Sequence, residues 1–245
     1  MMSAASSLGD RPAAAAKRDI FASIREAIVS RKLAPGMKLT EDVIADTFGC
    51  GRGPVRWALD RLQDEGLVTL VPNRGAFVAE PPLDEAKHLF GARRLLEGGI
   101  VRCLCGATSP NDLKPLIECV DAEDQAHAIG DEREALRLSG DFHLRMAAMT
   151  GNPIVETMLR ELVSRTILAI STHQRADTSG CRNDEHRRLL ALMAAGDIEG
   201  AVQEMEQHLV ALEHGLDMTK PNTSAPKLRD VLRGSLAKIK AAPLG

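Results

Sequence analysis

Residues Val43 to Val78 read VIADTFGCGRGPVRWALDRLQDEGLVTLVPNRGAFV, and this stretch decides the fold. Its apolar spacing predicts a short helix, a tight turn that Gly49 and Gly51 allow through positive φ, and a second helix. Two strands follow, joined by a turn at Pro72-Asn73-Arg74-Gly75. This order predicts a winged helix-turn-helix with a small β-ribbon, in which the second helix enters the major groove of DNA.

The second helix separates a buried side from a side that could contact DNA. Apolar residues recur at helical spacing and predict the buried side: Val55, Ala58, Leu59 and Leu62. Arg52 and Arg56 lie one turn apart on another side, within reach of bases or phosphates. Trp57 falls off the buried side, so we expect it to cover a flank of the helix or to meet DNA. Packing is the favoured reading, because aromatic rings usually bury much of their area.

Outside this stretch the chain divides into four parts. Residues 1–16 are small and polar and are expected to form a flexible arm, with no signal-peptide core. The DNA-binding domain is predicted over 17–80, with an amphipathic helix from Lys17 to Lys32 and Thr40 as the cap of the next helix. The extended joint Glu80-Pro81-Pro82 marks its end.

Every periodic segment from 84 to 218 is helical, so this domain is predicted to be an all-α antiparallel bundle and the whole chain to be mostly α. Residues 219–245 are expected to be a linker followed by a basic helix or tail. This tail has five basic residues between Lys227 and Lys240. It could dock on its own domain, or it could contact the DNA backbone or a partner.

Composition supports a helical protein without a membrane segment. The chain has no Tyr and one Trp among 245 residues, so its cores are built from aliphatic side chains. Five scattered cysteines without C-x-x-C spacing suit reduced thiols and a cytoplasmic location. The net charge is −3, and residues 1–80 carry eleven basic against ten acidic side chains. Any DNA binding therefore depends on where a few arginines lie, and dimerisation would double them.

Residues Gly36 to Ala79 resemble the winged helix of GntR-type bacterial transcription regulators, through PGMKLTEDVIADTFGCGRGPVRWALDRLQDEGLV and PNRGAFVA. The helices downstream resemble the FCD-type effector domain of the FadR subgroup, through ARRLLE, DFH, TGNP, DEHRRLLALMAAGD and MEQHL. The resemblance implies a metabolite-responsive homodimer that binds a palindromic operator on double-stranded DNA, rather than an enzyme.

The resemblance also implies which residues contact DNA. Arg52 and Arg56 occupy the two arginine positions at the start of the recognition helix. The wing tip that enters the minor groove matches Asn73, Arg74 and Gly75. Gly53, between the two arginines, stands where relatives carry a hydroxyl residue, so a helix cap and a phosphate donor are lost there.

Three histidines on separate predicted helices match the metal ligands of this subgroup: His143, His186 and His208. Three imidazoles suit Zn²⁺, Ni²⁺ or another late first-row ion. The fourth ligand of the subgroup is an aspartate, and here Ser139 replaces it. Asp141 is roughly 200° round the helix from His143 and cannot substitute from the same face. A cavity that binds its effector without metal is the alternative.

Arg93 matches the arginine that receives an effector carboxylate in this subgroup, and a salt bridge to Glu97 is the competing reading. The leading hypothesis is a repressor that a small organic acid releases from DNA. An activator with a vestigial pocket is a second option. A metal-dependent hydrolase with a DNA-binding module is a third, remote one, since only Asp141 or Glu185 could serve as its general base.

Overall fold

The structure is a computed structural model, and it describes residues 13–109, 111–173, 184–216 and 228–232. The chain forms two compact units. One contains the residues up to Ala79 together with those from Thr223 onward, and the other runs from Glu80 to Asn222. The described residues are mainly helical, with a small antiparallel sheet in the first unit, as the sequence predicts.

The first unit contains three helices of the predicted motif, α1 (Ala13–Val29), α2 (Glu41–Phe48) and α3 (Arg52–Asp64). The buried side of α3 is the predicted one, and it packs against α1, whose Ile20, Ile24 and Ile28 are fully buried. Gly49 ends α2 with a φ of 63°, the left-handed conformation that a glycine adopts without strain. Gly51 has a φ of −76°, so the expectation of a second left-handed glycine in this turn was wrong.

The sheet has three strands where the sequence predicted two. Strands β2 (Val68–Val71) and β3 (Gly75–Val78) form the predicted hairpin. Strand β1 (Lys38–Leu39) joins the free edge of β3, with Lys38 opposite Phe77 and Leu39 opposite Ala76. A two-residue strand shows no alternation of polar and apolar residues, so periodicity could not reveal it.

The second unit consists, within the described residues, of six helices: α4 (Leu83–Leu104), α5 (Lys114–Ala128), α6 (Glu132–Met149), α7 (Pro153–His173), α8 (Glu185–Ala195) and α9 (Ile198–His214). Helix α4 packs against α6, α7 and α9, while α5 packs against α6 and α8. Gly98 lies inside α4, and a Cβ there would meet Val202 of α9 at 3.8 Å. These contacts bring α4, α5, α6, α8 and α9 around a common interior.

Part of the C-terminal tail packs in the first unit. Residues 228–232 are helical and belong to the first unit, where Leu232 is fully buried and Arg229 lies 3.3 Å from Asp46 of α2. The rest of the tail, including Leu236 and Ile239, lies outside the described residues, as does Cys181. No helix in the described ranges is both long enough and apolar enough to cross a bilayer.

Candidate metal centre and DNA-contact residues

The three predicted histidines meet inside the second unit. His143 comes from α6, His186 from α8 and His208 from α9, and each is at most 3% exposed. One ring nitrogen of each lies within 4.8 Å of the other two. The Nε2 atoms of His143 and His208 are 3.3 Å apart, and the ring of Phe142 stacks on His186 with centroids 4.2 Å apart. This spacing is short enough for one ion to contact all three side chains.

Each histidine also contacts a buried carboxylate through its Nδ1 atom. Nδ1 of His186 is 2.8 Å from Glu123, and Nδ1 of His208 is 2.8 Å from Glu185. Nδ1 of His143 is 2.5 Å from Oε2 of Glu97, a close contact outside regular hydrogen-bond geometry. Glu97 is fully buried, and the other two carboxylates are almost so.

The residues present fit a divalent late first-row ion. Neutral imidazole has one N–H and one lone pair, so a carboxylate at Nδ1 places the proton there and leaves the lone pair on Nε2. Nε2 of His186 is buried and has no hydrogen-bond partner among the described residues. A buried acceptor without a partner costs free energy, and a metal ion at this point would remove that cost.

Arg93 lies beside the histidines rather than on the surface. It is 3% exposed, and its Nε atom donates to Glu97 over 2.6 Å. The salt bridge to Glu97 is therefore present, but it uses only Nε of Arg93. Nη2 is buried, and it has no acceptor in the described part of the chain. The next residue, Arg94, pairs with Glu213 at 2.5 Å.

The charges of this cluster follow from burial and pairing. Burial alone would raise the pKa of Glu97, but the charges of Arg93 and His143 lower it to about 2. Burial lowers the pKa of His143 to about 4 despite the neighbouring Glu97. Burial, with His186 and His143 nearby, holds the pKa of His208 well below its ordinary value. His143 and His208 are thus neutral at pH 7, the form that binds a metal.

Ser139 and Asp141 occupy different surroundings on α6. Ser139 is 3% exposed and lies one turn before His143, at the position where the resemblance implies an aspartate. Asp141 is half-buried and pairs with Arg145 at 3.4 Å and with Arg137 at 3.9 Å. The cluster of possible metal ligands does not contain Asp141.

Sequence reasoning missed Glu123 and gave Glu97 and Glu185 other roles. The signal that could have identified Glu123 is its position in the helical repeat. Glu123 follows the buried residues Leu116, Cys119 and Val120 at the spacing of one helix face, so it is an acid on an apolar side. Buried acids are rare without a partner, and such a position indicates a site.

The two predicted DNA-contact arginines of α3, Arg52 and Arg56, are exposed, but each is paired with an acid of α2. Arg52 makes two hydrogen bonds to Asp42, at 2.7 and 3.0 Å. Arg56 donates to Glu41 over 2.9 Å. Both acids lie in the first turn of α2. Thr40 occupies the N-cap position, as predicted, but its side chain makes no capping hydrogen bond.

The wing and the anomalous residues are also in place. Asn73 has a φ of 61° and Gly75 a φ of 99°, both left-handed, and Arg74 lies over the ring of Phe77. A Cβ at Gly53 would have no neighbour within 4 Å, so the site could hold a larger residue. Trp57 is half-buried, with Nζ of Lys17 5.6 Å from its ring centroid. This contact with α1 agrees with the packing interpretation of Trp57.

Comparisons with known proteins agree on the family of both units. The family model for bacterial regulatory proteins of the gntR family matches residues 16–78, and the FCD domain model matches residues 88–211. An HTH-type transcriptional regulator in an unstable DNA locus of Streptomyces ambofaciens is 27% identical over 80% of this chain and 83% of its own length. The HTH-type transcriptional repressor GlaR of Escherichia coli is 25% identical over 78% and 91%, respectively.

Solved structures share the fold. The structure of a GntR transcriptional regulator from Rhodococcus sp. RHA1 has a TM-score of 0.73 and 24% identity, over 81% of this chain and 95% of that one. Escherichia coli McbR/YncC has a TM-score of 0.69 and 22% identity, over 81% and 97%.

Proposed function

Because the chain belongs to the GntR family and is a DNA-binding transcriptional regulator with an FCD effector domain, we propose that it is a repressor released by a small carboxylate. The family consists of regulators rather than enzymes, which removes the hydrolase alternative. The name of the GlaR relative supports the sign of regulation. The cytoplasm is the proposed location, since operator DNA is there.

The observation that carries the effector proposal is the unpaired nitrogen of Arg93. A guanidinium binds a carboxylate through two parallel hydrogen bonds, and Arg93 offers a buried Nη2 without a described acceptor. A neutral ligand group would leave that donor less well satisfied. The histidine cluster shares Glu97 with Arg93, so an acid bound at Nη2 would lie close to the metal centre.

We place Zn²⁺ or Ni²⁺ on Nε2 of His143, His186 and His208. When bound, such an ion supplies open coordination positions that water or an oxygen atom of the effector can fill. The side chains orient the effector: Arg93 takes its carboxylate, and the surrounding buried residues exclude bulk water.

We further propose that the protein acts as a homodimer on a palindromic operator. Arg52 and Arg56 read base edges in the major groove, and the wing tip of Asn73, Arg74 and Gly75 enters the minor groove. Gly53 lets the helix approach the DNA backbone closely. Effector binding would favour a dimer geometry whose recognition helices no longer match the two half-sites. Such coupling is reciprocal, so operator DNA must weaken effector binding by the same factor.

A thermal-shift screen of small carboxylic acids tests the effector site. An acid that binds the folded protein raises its melting temperature by mass action. We expect Arg93→Lys to abolish this rise in melting temperature, because lysine keeps the positive charge but cannot make two parallel hydrogen bonds to a carboxylate. Arg94→Lys should leave the rise unchanged. Repeating the screen after chelation separates a metal-dependent site from a metal-free one. A shift that survives Arg93→Lys would contradict the proposed role of Arg93.

Trp57 offers a direct test of DNA reading, because it is the single tryptophan and no tyrosine is present. We expect its emission to change on binding a duplex selected from genomic fragments and not on adding a random duplex at the same moderate salt. Arg52→Ala should weaken selected binding by the roughly 1–3 kcal/mol of a bidentate base contact. Equal responses to both duplexes would place Trp57 outside the specific interface.

A further inference from the structure

We propose that Glu97, Glu123 and Glu185 are positioning residues of the metal centre: each fixes the ring of one histidine and together they balance the charge of the ion. This inference rests on the proposed metal site and extends it to residues that bind no metal themselves. Each glutamate reaches its histidine from a different helix: Glu97 of α4 to His143, Glu123 of α5 to His186, and Glu185 of α8 to His208.

The direction of the lone pairs on the histidine rings supports these roles. A carboxylate oxygen can only accept at Nδ1, so each neutral ring carries its proton there and presents Nε2 as an acceptor. The two acceptors Nε2 of His143 and Nε2 of His208 then face each other at 3.3 Å. Two facing lone pairs repel each other unless a cation lies between them or one ring is protonated. The carboxylates therefore arrange the rings for a cation.

The balance of buried charge also supports these roles. Among the described residues, the buried Arg, Lys, Asp and Glu side chains are four: Arg93, Glu97, Glu123 and Glu185. Three carboxylates and one guanidinium leave a formal charge of −2, which a divalent cation cancels. Uncompensated buried charge is strongly unfavourable. Ser139 supplies no charge, so the outer carboxylates provide the whole balance that an aspartate ligand would otherwise share.

Carboxylates that contact the second ring nitrogen of a metal-binding histidine have a known physical effect. A hydrogen bond from the second ring nitrogen fixes the tautomer, orients the ring and makes the coordinating nitrogen more basic. Removing such a partner commonly weakens metal binding about 10–100-fold. Such hydrogen bonds are present at His186 and His208, and at the third ring a carboxylate oxygen of Glu97 contacts Nδ1 of His143.

The test is zinc affinity of the full-length protein, measured against a competing chromogenic chelator after metal removal. We expect Glu123→Gln to weaken zinc binding about 10–100-fold. Glu118→Gln is the matched control, because Glu118 lies on the same helix but is exposed. Glu185→Gln should behave as Glu123→Gln does. Zinc affinities equal to that of the wild type in both variants would overturn the proposal.

A second readout does not depend on metal binding. Nitrogen-15 spectra of histidine side chains in the metal-free wild type should show the Nδ1–H tautomer for His186, and Glu123→Ala should lose it. Nε2–H on His186 in the wild type would also overturn the proposal. If the wild type binds neither zinc nor nickel, the proposed metal function fails while the tautomer experiment still decides the role of Glu123. Circular dichroism shows whether each variant folds. If Glu123→Ala does not fold, the nitrogen-15 spectrum of the wild type still decides the tautomer of His186.

Discussion

Ser139 occupies a buried position one turn before His143, where a carboxylate would face the metal centre. We expect Ser139→Asp to bind zinc more tightly than the wild type, because it adds a charged ligand. Without metal the same carboxylate would add an uncompensated buried charge, which costs about 3–5 kcal/mol. The rise in melting temperature on adding zinc should therefore be larger in the variant than in the wild type.

Asp141→Asn is the control for that substitution. Asp141 lies two residues from His143 but pairs with Arg145 and Arg137 outside the cluster. Its replacement should leave zinc affinity unchanged. If Asp141→Asn weakened zinc binding as much as His186→Ala does, the identification of the ligands would be wrong.

Asp42 accepts two hydrogen bonds from the guanidinium group of Arg52. The same two donors would otherwise bind guanine or phosphate. We expect Asp42→Asn to bind random duplex DNA more tightly, with a logarithmic salt slope steeper by about 1. Asp60→Asn is the control, because Asp60 is an exposed residue of α3 and its replacement makes the same change in net charge. Equal effects of the two substitutions would indicate net charge rather than release of Arg52.

At the scale of elements, Gly99 and Gly140 both lie inside helices but have different surroundings. A Cβ at Gly99 of α4 would have no neighbour within 4 Å, whereas one at Gly140 of α6 would lie 3.0 Å from Ile167 and 3.2 Å from Val163. Alanine is preferred over glycine in a helix by about 1 kcal/mol. Gly99→Ala should therefore raise the free energy of unfolding by about that amount, measured by denaturant titration.

Gly140→Ala gains the same helix propensity but must displace the side chains of α7. We expect it to be less stable than Gly99→Ala in the same titration. Equal stabilisation by both substitutions would mean that α6 and α7 separate easily. That result would contradict close packing of α6 against α7.

Sequence patterns predicted the helices because their buried sides repeat every three to four residues over many turns. The same reasoning found α3, with Val55 and Leu59 buried and Arg52 exposed. It missed β1, which has two residues, and it assigned a left-handed φ to Gly51, where Gly49 alone makes the turn. Such local conformations depend on tertiary contacts and not on composition.

The histidines could be predicted because their positions match a family pattern, but the carboxylates around them could not. Glu123 lies more than sixty residues before His186 in the chain and contacts it only because α5 packs beside α8. The buried state of Glu97 likewise depends on α6, which brings His143 to it. Pairing between helices is a property of the folded bundle, and one sequence does not reveal it.

At the scale of the whole molecule, the DNA-binding unit is discontinuous in sequence, because residues 228–232 belong to it. Leu232 is fully buried, so Leu232→Ala should lower the stability of this unit by about 2–5 kcal/mol. Trp57 fluorescence reports the unfolding of this unit, since the residue lies on α3. Unfolding of the second unit, followed through zinc release, should not change.

Arg229→Ala is the control, because its partner Asp46 is exposed and such surface pairs contribute about 1 kcal/mol or less. If Leu232→Ala left the Trp57 transition unchanged, the segment would not stabilise the DNA-binding unit. A fragment that stops at Glu80 would lack this segment altogether.

The three histidine–carboxylate pairs also determine which parts of the second unit should open together. They join α4, α5, α6, α8 and α9 at one point, while α7 contributes no residue to them within the described chain. A bound ion would thus act as a cross-link among these five helices. Amide hydrogen exchange should slow on zinc addition in those five helices and change least in α7. Uniform slowing across all six helices would indicate general stabilisation instead.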